Sequence, residues 1–560
     1  MALVEVGSLE LGGLVLDRPK FDLPSNIFTN GYNVEFTMKG VTPAPAFQMP
    51  IFDMKGSPLR IDILQILENR RLAVYLTDTD AYSVYRGKHV KITRPSGGYS
   101  ASDRTKWSGG FFHGYMVYTN GEDVPQAYAP IGATEVFKDL PNWPAGVRVH
   151  LMRPYMNFLI GLGYHLTTEQ EFDSQTIIWS DATDPGTLPT WDITNPASKA
   201  GTYALSDTKA AIIAAEVLTD SLIIYKEDSI YSMRYVGGTY VFAFDKLMNG
   251  YGAASSYSVV SIGNEHFVVG QNELYIFNGV STTPIGKGYV RDFLFSDWNP
   301  SARHNVFCLH REGANQIWVC YPSGSSEYAN KALIWNYSTN TWTLRQIPPS
   351  YCGQYSYSEL YGQIGTWEDL VTEGTWNPDM EWDKIPDRFT WVTAGNSGLE
   401  KSVYLGVAIT AGDLWAIKTN GVNFTYGGLS WPVRYPFPPI VSIPLEGDRA
   451  MGYVERTNIA FDGKDQNGNV TVDRTLYKTL TECYPEVSGG SVMIRFGTQK
   501  VHNGAVTWGP WSIFDPEVSY KLDPFMTEKF LAIAFQSDPN NLTAWTVSGY
   551  SLNIENGGRY

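Results

Sequence analysis

The chain has 560 residues, a formal net charge of −15, and 14% aromatic against 18% charged residues. That length implies several domains, and the 53 Gly and 32 Pro that punctuate it favour strands and turns over long helices. An acidic surface repels phosphate, so the charge argues against a nucleic-acid-binding protein; it fits an ordinary acidic protein, or a surface past which DNA slides without sticking.

Residues 1–55 are rich in turn formers and read as an arm that packs on another part of the molecule. Asn33-Val-Glu-Phe36 is a short strand signal closed by Lys39-Gly40, and Pro43, Pro45 and Pro50 hold the chain extended beyond it. A hairpin then recurs. Its copies are Arg71–Tyr85, Ser221–Tyr235 and His266–Gly279, each an apolar strand, a polar turn with Asp or Asn, and a strand with a central Tyr. Tyr231 and Tyr275 are 44 residues apart, and Tyr82 and Tyr231 are 149 apart, near three times that spacing. Propeller blades repeat every ~40–50 residues. Six blades are expected, over Ile61–Thr93, Phe111–Phe137, Val147–Trp191, Ala210–Phe244, Tyr257–Ile285 and His304–Leu344. A ring of blades covers apolar faces that one four-stranded blade leaves bare. Lys209–Leu218 has strong helix formers but occupies a blade-strand position, so it is read as strand. A short helix is expected within Tyr289–Trp298, where Val290, Phe293 and Leu294 fall at helical spacing.

Residues 351–450 change character. Gly365-Thr-Trp367 and Gly374-Thr-Trp376 repeat nine residues apart, and Trp382 follows. Between Glu359 and Arg388 stand eight acids (Glu359, Glu368, Asp369, Glu373, Asp379, Glu381, Asp383 and Asp387) against Lys384 and Arg388. This is read as an acidic connector pinned by tryptophans and leading into a small meander over Ser402–Ile409, Leu414–Thr419 and Val422–Tyr426. A domain linker is the plain reading. The sharper one is a channel or interface patch of Glu368, Asp369, Glu373, Asp379, Glu381 and Asp383, with Trp367, Trp376 and Trp382 as interface aromatics. Residues 451–560 return to alternating strands, among them Phe530–Phe535 with Leu531, Ile533 and Phe535 on one side, and Trp545–Ile554. Such alternation predicts a β-sandwich. The fold class is therefore all-β: a 1–55 arm, a six-bladed propeller over 56–350, the 351–450 connector and a 451–560 sandwich.

Tests for chemistry come back negative. Gly279 to Gly286-Lys287 has the wrong spacing for a phosphate loop, and Gly288 stands where Ser or Thr is needed. Gly395-Asn-Ser-Gly398 is not a nucleophile elbow, and no H-E-x-x-H occurs. Asp465–Asn469 begins like a calcium loop, but Val470 and Leu476 replace the Gly and Glu that such a loop needs, so a hairpin turn is expected there. Cys308, Cys320, Cys352 and Cys483 form no C-x-x-C pair and predict neither a disulfide framework nor zinc. No catalytic, cofactor or metal residue is assigned. Met1–Gly7 lacks signal-peptide character, and no run of about 18 apolar residues predicts a membrane span. Asp184-Pro-Gly-Thr-Leu-Pro-Thr-Trp191 is similar to the D-x-G-x-T-W turn of sialidase-type propellers with two residues inserted, a structural device rather than a catalytic one.

Several of these segments together resemble the tail nozzle (tail tubular) proteins of short-tailed bacteriophages. They are the arm with Asn33–Phe36 before Gly40, Trp179–Pro185 with Trp191, the hairpin Leu222–Tyr231, Ala332–Trp342, and the ending Trp545–Tyr550 with Gly557-Gly-Arg559. The resemblance implies a structural, non-enzymatic virion subunit, made in the host cytoplasm and assembled as a homohexameric ring. That ring would continue the DNA-ejection channel below the portal and adaptor, pass double-stranded DNA without specific binding, and offer docking faces to tail fibres or tailspikes. The alternatives are a propeller glycosidase or depolymerase, which needs two carboxylates at fixed separation, and a glycan-binding receptor-recognition tail protein without catalysis.

Overall fold

The computed structural model describes residues 2–20, 23–45, 47–51, 54–67, 70–85, 88–130, 136–167, 173–238, 240–357, 401–407, 414–417, 450–464, 470–539 and 544–558. The six blades are present. Five are four-stranded antiparallel sheets spanning Arg60–Lys91, Ser108–Asp139, Val147–Ala204, Ile212–Asn249 and Val259–Pro284. The sixth starts with Phe307–Arg311, Gln316–Tyr321, Ala329–Asn336 and Thr341–Tyr357. From blade two onward, the first strand of each blade packs on the first strand of the next. The long strand Thr341–Tyr357 closes the ring by packing on Arg60–Leu67 of blade one. There the Ile63 N–H donates to Gln354 Oε1 (2.7 Å), and Ser356 Oγ donates to the Ile63 carbonyl (3.3 Å).

The recurring hairpin forms the second and third strands of blades one, four and five. Its tyrosines occupy the same register in all three copies, with Tyr82 across from Tyr75, Tyr231 from Ile224 and Tyr275 from Val268. In each copy a four-residue loop follows the last paired position, at residues 77–80, 226–229 and 270–273. Ile212–Leu218 is a strand, and a seven-residue helix spans Arg291–Asp297. The helix formers of Lys209–Leu218 lose because Ile212, Ala215, Leu222 and Ile224 bury one face against Leu151, Phe158 and Ile160 of blade three.

The sandwich has two six-stranded sheets, and the arm is built into both. Ala2–Val6 pairs with the last strand, Trp545–Asn556, while Gly40–Pro43 reaches the same strand at Val41 and Val547. Asn30–Tyr32 instead pairs with Tyr453–Ile459 in the opposite sheet. The 1–55 segment therefore packs on another part of the molecule as strands of its sheets. Gly40 shows why the turn is tight: its φ is +127°, and a Cβ there would meet the Val547 carbonyl oxygen at 2.2 Å. The strands expected as a 396–450 meander divide differently. Lys401–Val407 and Leu414–Ile417 continue the blade-six sheet, which Phe47–Ile51 completes. An unpaired sheet edge is a run of unmet donors and acceptors, and these strands fill it. The strand expected at Val422–Tyr426 lies outside the described residues.

One apolar core runs from the sandwich into blades five and six, joining Val34, Phe36, Val454, Ile494, Phe535 and Trp545 to Phe267, Trp335 and Trp342. The arm adds polar ties across that seam. The Asn33 N–H donates to the Leu344 carbonyl (2.9 Å), and Asn33 Oδ1 accepts from the Gln346 N–H (3.0 Å). Glu35 pairs with Arg311 at 3.0 Å, both side chains being nearly buried. The Asp17 carboxylate accepts the Asp292 and Phe293 N–H groups (both 2.9 Å), capping the short helix from 275 residues away; Val290 at that end makes no side-chain cap itself. Deleting residues 1–45 is expected to leave a propeller with an open sandwich. Under native conditions, limited proteolysis should then cut within Tyr453–Asn556 at sites the full chain protects; unchanged protection would show that the arm is dispensable.

Candidate functional site

The hub of the propeller is where polar groups from all six blades converge, the charged ones from blades one to four. Arg60 and Asp62 stand two residues apart on the first strand of blade one, hence on the same face. Arg60 Nε donates to Asp62 Oδ2 (2.7 Å), and Arg60 Nη2 donates to Asp62 Oδ1 (3.1 Å) and the Gly109 carbonyl (3.3 Å). Tyr118 of blade two donates its hydroxyl to Asp62 Oδ2 (2.6 Å). The Arg60 guanidinium lies over the rings of Tyr118 and Tyr257, at 5.6 and 5.7 Å. From blade three, Arg153 donates through Nη1 to Ser108 Oγ (2.7 Å) and through Nε to the Ala215 carbonyl (2.8 Å), with Glu216 at 4.0 Å. Tyr257, leading into blade five, donates to the Trp107 carbonyl. From blade two, Lys106 Nζ reaches the Tyr351 carbonyl of blade six (2.8 Å).

These contacts set the electrostatics. Burial alone would lower the Arg60 pKa, but Asp62 beside it holds it above its ordinary value. Burial pushes the Tyr118 phenol up, and the Asp62 charge adds to that. Burial also raises Tyr257, lifts the Cys352 thiol to about 12, lowers Arg153, and brings Lys106 down to about 8. Asp62 takes three donors on its two oxygens, two from Arg60 and one from Tyr118. The arrangement is a polar lock, with each ion or phenol held by groups from another blade.

The proposed acidic and aromatic patch (Glu368, Asp369, Glu373, Asp379, Glu381, Asp383, Trp367, Trp376 and Trp382) lies outside the described residues. The Asp465–Asn469 loop does too, though Phe461–Lys464 and Val470–Val472 on either side pair as a hairpin. In the Asp184–Trp191 segment, Thr187 donates to the Asp184 carbonyl, and Trp191 is buried edge-on against Trp143 at 4.6 Å between blades two and three. The four cysteines are unbridged. Among the described residues no His, Cys, Asp and Glu cluster is placed to hold a metal, and no helix is long and apolar enough to cross a membrane. Sequence reasoning missed the hub. Its trace was the alternation in Arg60-Ile-Asp-Ile63, where a polar face reads as solvent-facing unless the ring centre is known.

Fold and hub define a closed β-propeller carrying a β-sandwich. No family model matches the chain, and no curated protein matches it. Similar solved structures include the AfRom2 CNH domain (8% identity, TM-score 0.35, covering 67% of this chain and 99% of that one). The β-propeller domain of Cps50 (Swd1) from Myceliophteria thermophila shows 9% identity and a TM-score of 0.35, covering 66% of this chain and 100% of that one. YCF48 from Cyanidioschyzon merolae shows 8% identity and a TM-score of 0.36, covering 66% and 98%.

Two outcomes follow for the hub. Arg60→Met leaves the Asp62 carboxylate beside Tyr118 without its bonded cation, and should cost about 3–5 kcal/mol of stability in denaturant unfolding; a loss under 1 kcal/mol would show that the pair is not locked. Lys106 is a base whose pKa is lower in the folded state than in the unfolded one, at about 8 against 10.5. Below pH 8 both states carry the proton, and the fold bears the full cost of burying the charge. Between pH 8 and 10.5 only the unfolded state keeps it, so the cost fades as pH rises. The stability of Lys106→Met relative to the parent should therefore fall by up to about 3 kcal/mol across that window. Comparing the two chains cancels the titration of the other groups, and a flat difference would overturn the assignment.

Proposed function

We propose that this chain is a structural subunit of a short-tailed phage virion, a tail nozzle protein that assembles as a hexameric ring in the ejection channel. The observation that carries the proposal is the position of the segments resembling that family. Asn33–Phe36 ties the arm to blade six, and Trp191 fills the seam between blades two and three. Leu222, Ile224 and Tyr231 pack across the seam between blades three and four. Trp335 and Trp342 join blade six to blade five and the sandwich, while Trp545 donates from one sandwich sheet to Ser537 Oγ of the other (3.1 Å). The shared features are thus joints between elements, which suits a protein whose work is to hold a shape.

The filled hub adds a constraint. DNA would pass between protomers, not through the propeller, because Arg60, Asp62, Tyr118, Arg153 and Tyr257 meet one another across its ring. Acidic groups of the connector, Glu368 to Asp383, would face the lumen or the neighbouring subunit and keep phosphate from sticking. Adaptor and portal proteins would meet one end of the ring, and fibres or tailspikes its outer face. The test is the mass in solution by light scattering, alone and with portal-complex proteins. The expected mass is six times the 62.5 kDa of one chain; a monomer that persists in the presence of those proteins would overturn the proposal.

A further inference from the structure

The face of one sandwich sheet turned away from the core carries a partly exposed aromatic cluster around a fixed arginine. Strand register places Tyr32, Tyr453, Gln536 and Met493 side by side across four strands. The next row on the same face is Asn30, Glu455, Ala534 and Arg495. The alternate residues Val454, Phe535 and Ile494 point into the core, so these two rows face outward. Ala534, Ala532 and Gly497 on this face are small and buried, and Trp508 lies directly over Gly497.

The walls are aromatic. Tyr32 stacks on Tyr453 at 5.3 Å. On the other side the Arg495 guanidinium lies 4.3 Å from the Trp508 ring and 4.4 Å from the Trp511 ring, held between two indoles. Its Nη2 reaches across to the Tyr453 hydroxyl at 3.1 Å. Tyr453 donates in turn to Glu455, which also accepts from Asn30 Nδ2 (3.3 Å). Tyr32, Trp508 and Trp511 are half-buried, so each keeps surface for a ligand. Among the described residues Arg495 makes no ion pair, in a chain of net charge −15.

We infer that this face is a glycan-binding site for a carboxylate-bearing pyranose. Arg495 is a planar cation whose rotamer freedom is already spent against the indoles, and an oriented guanidinium matches a carboxylate through two parallel hydrogen bonds. Flat aromatic rings beside it accept the apolar face of a sugar ring, and Gln536, Asn30 and the tyrosine hydroxyls supply partners for its hydroxyls. The site concerns one chain and does not depend on the ring assembly, so its failure is separate from that of the tail-nozzle proposal.

The test is titration of the full chain with a short oligogalacturonate and with cellotetraose as the neutral control, followed by tryptophan fluorescence and calorimetry. The parent should bind the acidic sugar with a Kd below about 1 mM and prefer it over the neutral one. Arg495→Met and Trp511→Ala should each weaken binding about tenfold or more while melting close to the parent. If Arg495→Met does not fold, Arg495→Lys decides, since it keeps the charge but loses the stacked fork. Absence of binding by the parent, equal affinity for the neutral sugar, or unchanged binding by a folded Arg495 variant would each overturn the inference.

Discussion

A strand at the end of a sheet exposes a row of N–H and C=O groups that must find partners, and in this chain the first forty-odd residues meet that demand. Ala2–Val6 and Gly40–Pro43 cover the edge strand Trp545–Asn556 of one sandwich sheet, and Asn30–Tyr32 covers Tyr453–Ile459 of the other. The same segment reaches blade six through Asn33, Glu35 and Asp17. The propeller and the sandwich therefore share one apolar core instead of meeting across a linker. Removing that segment would strip both sheets and the seam together.

The propeller meets a second requirement in a different way. Its inner strands bring polar faces together at the centre, where water is scarce and an unpaired charge is costly. The solution is pairing within and between blades: Asp62 with Arg60 on its own strand and with Tyr118, Arg60 with the Gly109 carbonyl, Arg153 with Ser108 and the Ala215 carbonyl, and Lys106 with the Tyr351 carbonyl. A pair that is satisfied across a seam holds that seam in register. Breaking one partner is costly because the other stays buried. With each partner held in this way, the hub reads as a fastener.

Much of the fold was legible because periodicity survives in local sequence. The Tyr82, Tyr231 and Tyr275 hairpins could be aligned by eye, and the structure gives them one register. Alternation in Leu531, Ile533 and Phe535 marked an interior face that is indeed core. The helix at Arg291–Asp297 was visible from Val290, Phe293 and Leu294, though its cap was not, because Asp17 lies 275 residues away. The arm's pairing was equally hidden. Asn30–Tyr32 looks like any short strand until Tyr453–Ile459 is placed beside it.

Sequence alone determined the strand class, the recurring blade hairpin and the absence of familiar catalytic motifs, since these rest on spacing within a few tens of residues; the count of six blades came from the sheets themselves. Only the tertiary structure decided that the arm belongs to the sandwich, that Lys401–Val407 and Leu414–Ile417 extend blade six, and that Arg60, Arg153 and Tyr257 share one hub. It also decided that Trp508 and Trp511 enclose Arg495. The physical reason is common to all of these. A charged or aromatic residue on a strand shows in sequence which face it takes, but what that face meets is set by partners hundreds of residues away, and it is those partners that decide whether the residue is solvated, locked or ready to bind.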